Sequence, residues 1–153
     1  MPFNLVVALP LLLPRAIAWA ETQAELVRRT GTALSIKQMA VARVVGVKHP
    51  ERIVVLTVDT PPMPDDPMLR EAAVQTGFLG PSMAGLTLGH SILIVRGQMS
   101  LRLLSHECRH VHQYEQYGSI ANFLPAYLSQ IATVGYDNAP LEIDATQHEL
   151  SGT

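Results

Sequence analysis

Leu103-Leu104-Ser105-His106-Glu107-Cys108-Arg109-His110-Val111-His112-Gln113-Tyr114 holds at its centre the pattern H-E-x-x-H, from His106 to His110. On an α-helix, residues four apart share a face, so His106 and His110 direct two imidazoles to one point. Two neutral imidazoles so placed can hold Zn²⁺ at about 2.0–2.1 Å. Glu107 lies one residue on, about 100° around the helix, where it reaches a metal-activated water without being a ligand. The chemistry this suggests is hydrolysis by a zinc-activated water. Such a motif needs a helix. Leu101, Leu104, Cys108 and Val111 supply its apolar stripe at i, i+3, i+7 and i+10, on the side away from the histidines. Cys108 therefore reads as a buried structural thiol, while Gln113 and Tyr117 continue the histidine face.

Working outward, the motif helix is expected over Ser100–Tyr117, stopped by Gly118. Before it, Leu86–Arg96 reads as a strand, interrupted or bulged at Gly89 and ended by Gly97. After it come a helix over Ser119–Thr133, with Pro125 in its early turns, a loop at Gly135–Ala139 and a short helix from near Pro140. Upstream, Arg15–Arg29 reads as a helix that buries Ala16, Ala20, Ala24 and Val27, with Gly31 as its stop. Ser35 caps a second helix running to Val45, and the β-branched run Arg52–Asp59 reads as a strand. Four prolines make Thr60–Pro67 a loop, and a short helix follows over Leu69–Thr76. The fold class is α+β, mainly helical, with a small sheet over the motif helix. The chain forms one domain, 1–153, with an N-terminal helix-and-strand part over about 1–81 and a motif-bearing part over about 82–153.

A catalytic zinc usually has three protein ligands and a water, so a third ligand is required downstream. Glu142 is the choice: it lies in the first turn of the last helix, and Ala145, one turn on, lets helices approach closely. Asp144 competes, projecting about 200° away on the same helix. His148 and Glu149 are later candidates. Of the other histidines, His112 reads as a supporting or surface group, His90 as a structural or cleft-lining one and His49 as a turn residue. Asp59, Asp65 and Asp66 lack the ligand spacing of a calcium site.

His106-Glu107-x-x-His110, a helical hairpin and then Glu142-x-x-Ala145 resembles the gluzincin group of zinc metallopeptidases, over roughly Leu86 to His148. The resemblance implies a zincin-like fold, His106, His110 and Glu142 as zinc ligands, and Glu107 as general base. Many gluzincins carry an aspartate four residues after the ligand glutamate to support a ligand histidine; here that place is Thr146, and Asp144 is the substitute. The resemblance also implies that Leu86–Val95 pairs with an extended peptide or protein substrate. Attack on a peptide carbonyl then calls for a further donor to the oxyanion. Tyr136 is the candidate, with Tyr117, Tyr127 and His148 left open.

The bulk numbers fit this reading. With 153 residues, 48% hydrophobic and 16% charged, the chain is globular rather than disordered. A net charge of −2 with no basic run longer than Arg28-Arg29 points away from nucleic acid. Cys108 is the single cysteine, so no internal disulfide exists. At the N-terminus, Leu5–Leu13 is apolar and Ala18-Trp19-Ala20 resembles a cleavage site. However, Met1–Asn4 lacks a basic side chain, and Pro10 and Pro14 break the run short of a membrane span. The expectation is a packed N-terminal helix in a cytoplasmic protein with no membrane partner. Two other functions stay in view: a zinc-holding, catalytically weak module that binds a peptide along the strand, and a purely structural helical protein. A segment covering the cleft is looked for in the Thr60–Pro67 loop.

Overall fold

Alternation with period two decides what each strand packs against. The computed structural model describes residues 4–152, and its helices are α1 (Leu5–Thr30), α2 (Ile36–Val44), α3 (Pro67–Thr76), α4 (Leu101–Tyr117), α5 (Ile120–Val134) and α6 (Pro140–Gln147). Four strands, β1 (Thr32–Ala33), β2 (Val54–Val58), β3 (Gly85–Leu88) and β4 (Ser91–Val95), form one sheet in the order β1-β2-β4-β3. β2 and β4 run parallel, while β1 and β3 are antiparallel to their neighbours. The register sets Leu86 beside Leu93 and Thr87 beside Ile92. Leu56, Leu86, Leu88 and Leu93 therefore point to one face, in a core shared with Ala20 and Val27 of α1 and Leu124 of α5. Val55, Ile92 and Ile94 point to the other, against Ala42 of α2 and Leu104, Cys108 and Val111 of α4. The sheet is thus covered on both sides. Gly85 and Thr87 fall on the α4 side, and this register places them under the H-E-x-x-H turn.

Most expected elements are present with shifted ends. Ser35 caps α2 in a reciprocal capping box with Gln38, Ser100 caps α4, and Gly118 ends α4 in the left-handed conformation at φ 94. Two expectations need correction. The break or bulge expected at Gly89 within Leu86–Arg96 is a full turn and not a bulge: Gly89, at φ 69, turns the chain back on itself, so that the one expected strand is two, β3 and β4, in a hairpin. Nor does the N-terminal apolar run stop at its prolines. α1 is a single helix of 26 residues that carries both Pro10 and Pro14. The carbonyls that these prolines leave without a helical partner belong to Val6 and Pro10, both exposed residues, so water can take the missing donor's place. By length and composition α1 is the one helix among the described residues apolar enough to cross a membrane. Leu12, Ala20 and Val27 are buried as a packed helix requires, whereas Val6, Val7 and Leu11 stand exposed.

Candidate metal centre

α4 turns its apolar stripe to the sheet and its two motif histidines to α6, while Glu107 lies against Gly85 and Thr87 of β3. Leu104, Cys108 and Val111 are buried against β4, and burial pushes the Cys108 thiol up to about 12. Cys108 is thus inert and points away from the histidines. His106 and His110 stack edge to face with ring centroids 5.0 Å apart. α6 packs on α4 and brings in Glu142, a 4% exposed carboxylate in its first turn. Glu142 Oε1 lies 3.1 Å from His106 Nε2, and Oε2 lies 2.9 Å from His110 Nε2. One ligand atom from each of the three residues falls within 4.8 Å of the others.

Two imidazole nitrogens and one carboxylate are the donor set of a catalytic zinc. The surroundings match that use, since each imidazole is held at its far nitrogen, as ligand histidines are. His106 Nδ1 lies 2.8 Å from Glu149 Oε2, and His110 Nδ1 lies 2.8 Å from Gln113 Oε1. Gln113 is fixed in turn, donating to Leu141 O at 2.9 Å and to Asp144 Oδ2 at 2.8 Å. Asp144 is also gripped by Arg109 at 2.8 Å. Asp144 thus lies outside the His106, His110 and Glu142 group and touches neither histidine; it meets His110 only through Gln113. The place four residues after Glu142 belongs to Thr146, which is exposed, and Glu149 supplies the supporting carboxylate instead.

The electrostatics follow from burial and proximity. Burial opposes the charged form of His106, but hydrogen bonds to Glu142 and Glu149 and the nearby Glu107 charge win, raising its pKa to about 9. Burial works against Glu142 as an anion too. The two histidines and Tyr127, whose hydroxyl donates to Oε2 at 2.7 Å, outweigh it and hold the carboxyl well below its usual range. Glu107 differs. It is buried, and desolvation raises its pKa despite both histidines and a hydrogen bond from Thr87 Oγ1 at 2.7 Å.

Glu107 sits on a boundary. On one side is a cleft of about 520 Å³ lined by His106, Glu107, Ser82, Gln98, Arg102 and Tyr136. On the other is an apolar cavity of about 100 Å³ whose wall includes Glu107, His110 and Glu142. Gly85 is what lets β3 come so close: a Cβ there would stand 3.1 Å from Glu107 Oε2. No residue of Thr60–Pro67 lines the cleft, which is bordered by residues 76–77 and 82–85 instead. The proline-rich loop contributes Pro64 to the wall of the apolar cavity.

Of the remaining candidates, Tyr136 is half-buried and lines both spaces. Tyr127 is turned to Glu142, Tyr117 is exposed, and His148 bonds the carbonyl of Asp144. His112 ties α4 to Gly46 O, and His90 in the hairpin turn meets Glu115. Thr87 gave no signal in the sequence as a partner of Glu107, being one β-branched residue in a strand. Gln113 did, through its three-residue spacing from His110. Comparison with protein-family models, with curated proteins and with solved structures gives no match to this chain.

Proposed function

We propose that the protein is a zinc-dependent hydrolase, a gluzincin-like metallopeptidase that cleaves peptide bonds by Glu107-assisted attack of water. The observation that carries this reading is the convergence of His106, His110 and Glu142, with Glu107 beside them at the wall of an open cleft. Zn²⁺ bound there supplies Lewis acidity to water and to the carbonyl oxygen. The chain's own residues do the rest. Glu107, whose carboxyl burial makes more basic than usual, accepts the proton of the attacking water and returns it to the leaving amine. Thr87 holds Oε1 of Glu107, which leaves Oε2 for the proton. Tyr136, on the cleft wall, is the donor assigned to the oxyanion.

The substrate is a peptide or protein that pairs along the sheet edge. β4 is flanked by β2 and β3, so Ser91–Val95 has no free edge, and the pairing edge within Leu86–Val95 narrows to β3, Gly85–Leu88. The cytoplasm is the location this reading carries, for a chain whose one cysteine is buried and reduced and whose α1 packs on α5. Use of α1 as a signal or membrane segment is the alternative, and cell fractionation separates the two.

The second reading is a zinc-holding module that binds peptides at β3 without cleaving them. Glu107 decides between the two, because holding a metal does not need a buried base beside it. Purified protein is expected to contain about one zinc per chain. Glu107→Gln is expected to keep that zinc and lose hydrolysis of a peptide library by at least about 100-fold. A native protein as inactive as the variant, with zinc bound, would establish the binding module; a folded protein with no affinity for zinc would leave a structural one.

A further inference from the structure

We propose that the apolar cavity beside Glu107 is a binding site for a small neutral phenol or alcohol, whose hydroxyl Tyr114 holds by a hydrogen bond. The site is independent of the zinc reading, since its guest has no bond to cleave. Tyr114 follows Glu107 by seven residues and His110 by four, so the three share one face of α4. All three line the cavity, and Leu12 of α1, Ala73 of α3 and Leu128 of α5 supply apolar wall.

One polar group on this wall is left over. Thr87 donates to Glu107, His110 meets Gln113, and Tyr127 donates to Glu142. Trp19 and Tyr136 are only half-buried, and Tyr136 also reaches the open cleft. Tyr114 is 4% exposed, with its ring centroid 3.8 Å from that of Phe123, and among the described residues its hydroxyl has no hydrogen-bond partner. Every described side-chain nitrogen or oxygen that is shut off from open space does have one. The Tyr114 hydroxyl therefore faces open space, and the space that this residue borders is the cavity. A buried hydroxyl left unpaired costs free energy that a hydrogen-bonding guest recovers.

Size and charge narrow the guest. A cavity of about 100 Å³ holds one ring or a short branched chain, as an engineered apolar cavity of roughly 150 Å³ takes up benzene. The rest of the wall is largely apolar, so the body of the guest is apolar too and gains contacts that the lining atoms otherwise lack. Burial, with the Glu107 carboxyl nearby, raises the pKa of Tyr114, so the group it offers is a neutral O–H. An anion would meet Glu107 and Glu142, both on the wall, and the guest is therefore neutral. Bound there, it rests against the H-E-x-x-H turn.

Phenol and toluene have nearly the same shape and differ in a hydroxyl against a methyl, so calorimetry with the two on the full chain tests this. Phenol is expected to bind at one site and to be displaced by toluene. Tyr114→Phe is expected to melt no earlier than the parent, because the hydroxyl it loses has no partner. It is also expected to lower the affinity for phenol, relative to that for toluene, by about 3- to 10-fold. A folded parent that binds neither compound overturns the inference, as does a phenol-to-toluene ratio that the variant leaves unchanged. A variant that melts well before the parent, or does not fold, overturns it too, by showing that the hydroxyl is engaged within the protein. None of these outcomes bears on the hydrolase reading, which zinc content and Glu107→Gln decide.

Discussion

Glu149 Oε2 lies 2.8 Å from Nδ1 of His106, and its other oxygen accepts from Arg102 Nε at 2.9 Å. In the zinc-bound state we propose, the carboxylate would keep the imidazole proton on Nδ1 and free Nε2, which faces Glu142, for the metal. Glu149→Ala is therefore expected to weaken zinc binding about 10- to 100-fold, read by competition with a chromophoric chelator. Arg102 stands largely in solvent, with its side chain 78% exposed, so Arg102→Ala is expected to change the zinc affinity much less. Equal losses in the two variants would place the effect in Arg102 rather than in the carboxylate.

Gln113 supports the other imidazole and is itself buried, at 3% exposure. Gln113→Leu leaves His110 Nδ1 without its partner and removes the amide's bonds to Leu141 O and to Asp144 Oδ2, which Arg109 still holds. An unpaired buried group costs about 1–3 kcal/mol, so the metal-free variant is expected to lose at least about 1 kcal/mol in urea unfolding. Zinc binding is expected to weaken as well. A variant as stable as the parent would mean that water replaces the amide.

The motif helix and its buried face were legible because Leu104, Cys108 and Val111 state a helical period that His106 and His110 share. Glu142, which the fold does bring to the two histidines, was singled out by the expected need for a third ligand rather than by any local pattern. Glu149 and Thr87 were not legible as partners. Glu149 reaches His106 across 43 residues and Thr87 reaches Glu107 across 20, distances over which no periodicity carries information. Gly89 misled for a local reason, since a glycine inside an apolar run marks a bulge or a turn, and only the pairing of β3 with β4 decides which. Pro10 and Pro14 misled because a helix surface open to water tolerates the lost donor.

Gly85 lies hard against Glu107, the residue we propose as general base. A methyl group at this position would stand 3.1 Å from Glu107 Oε2 and 3.2 Å from its Cδ, tighter than ordinary contact. Thr87 anchors Oε1, so the side chain cannot swing away freely. Gly85→Ala is expected to displace the carboxylate by a few tenths of an ångström and lower kcat about 10-fold, with zinc content unchanged. Full activity in the folded variant would show that the base has more latitude than its hydrogen bond implies.

Glu115 holds the far end of α4, and its protonation offers a test independent of the metal. Its carboxylate accepts from the backbone N–H of Lys48 at 2.7 Å and of His49 at 3.0 Å, and it meets His90 Nε2 at 3.0 Å. Burial opposes its ionisation, but these partners prevail and hold its pKa below the ordinary carboxylate value of 4.5. A carboxyl whose pKa is lower in the folded than in the unfolded chain stabilises the fold above the unfolded value, and that contribution is lost as pH falls through the folded one. Glu115→Gln is expected to cost about 1–3 kcal/mol at pH 7. That corresponds to about 2–10 °C in Tm for a chain of this size. The gap between parent and variant should narrow steadily below about pH 4.5, as the parent's own carboxylate takes up its proton. A Tm difference that stays constant from pH 7 to pH 3 would show that the loop and hairpin are held by packing and not by this charge.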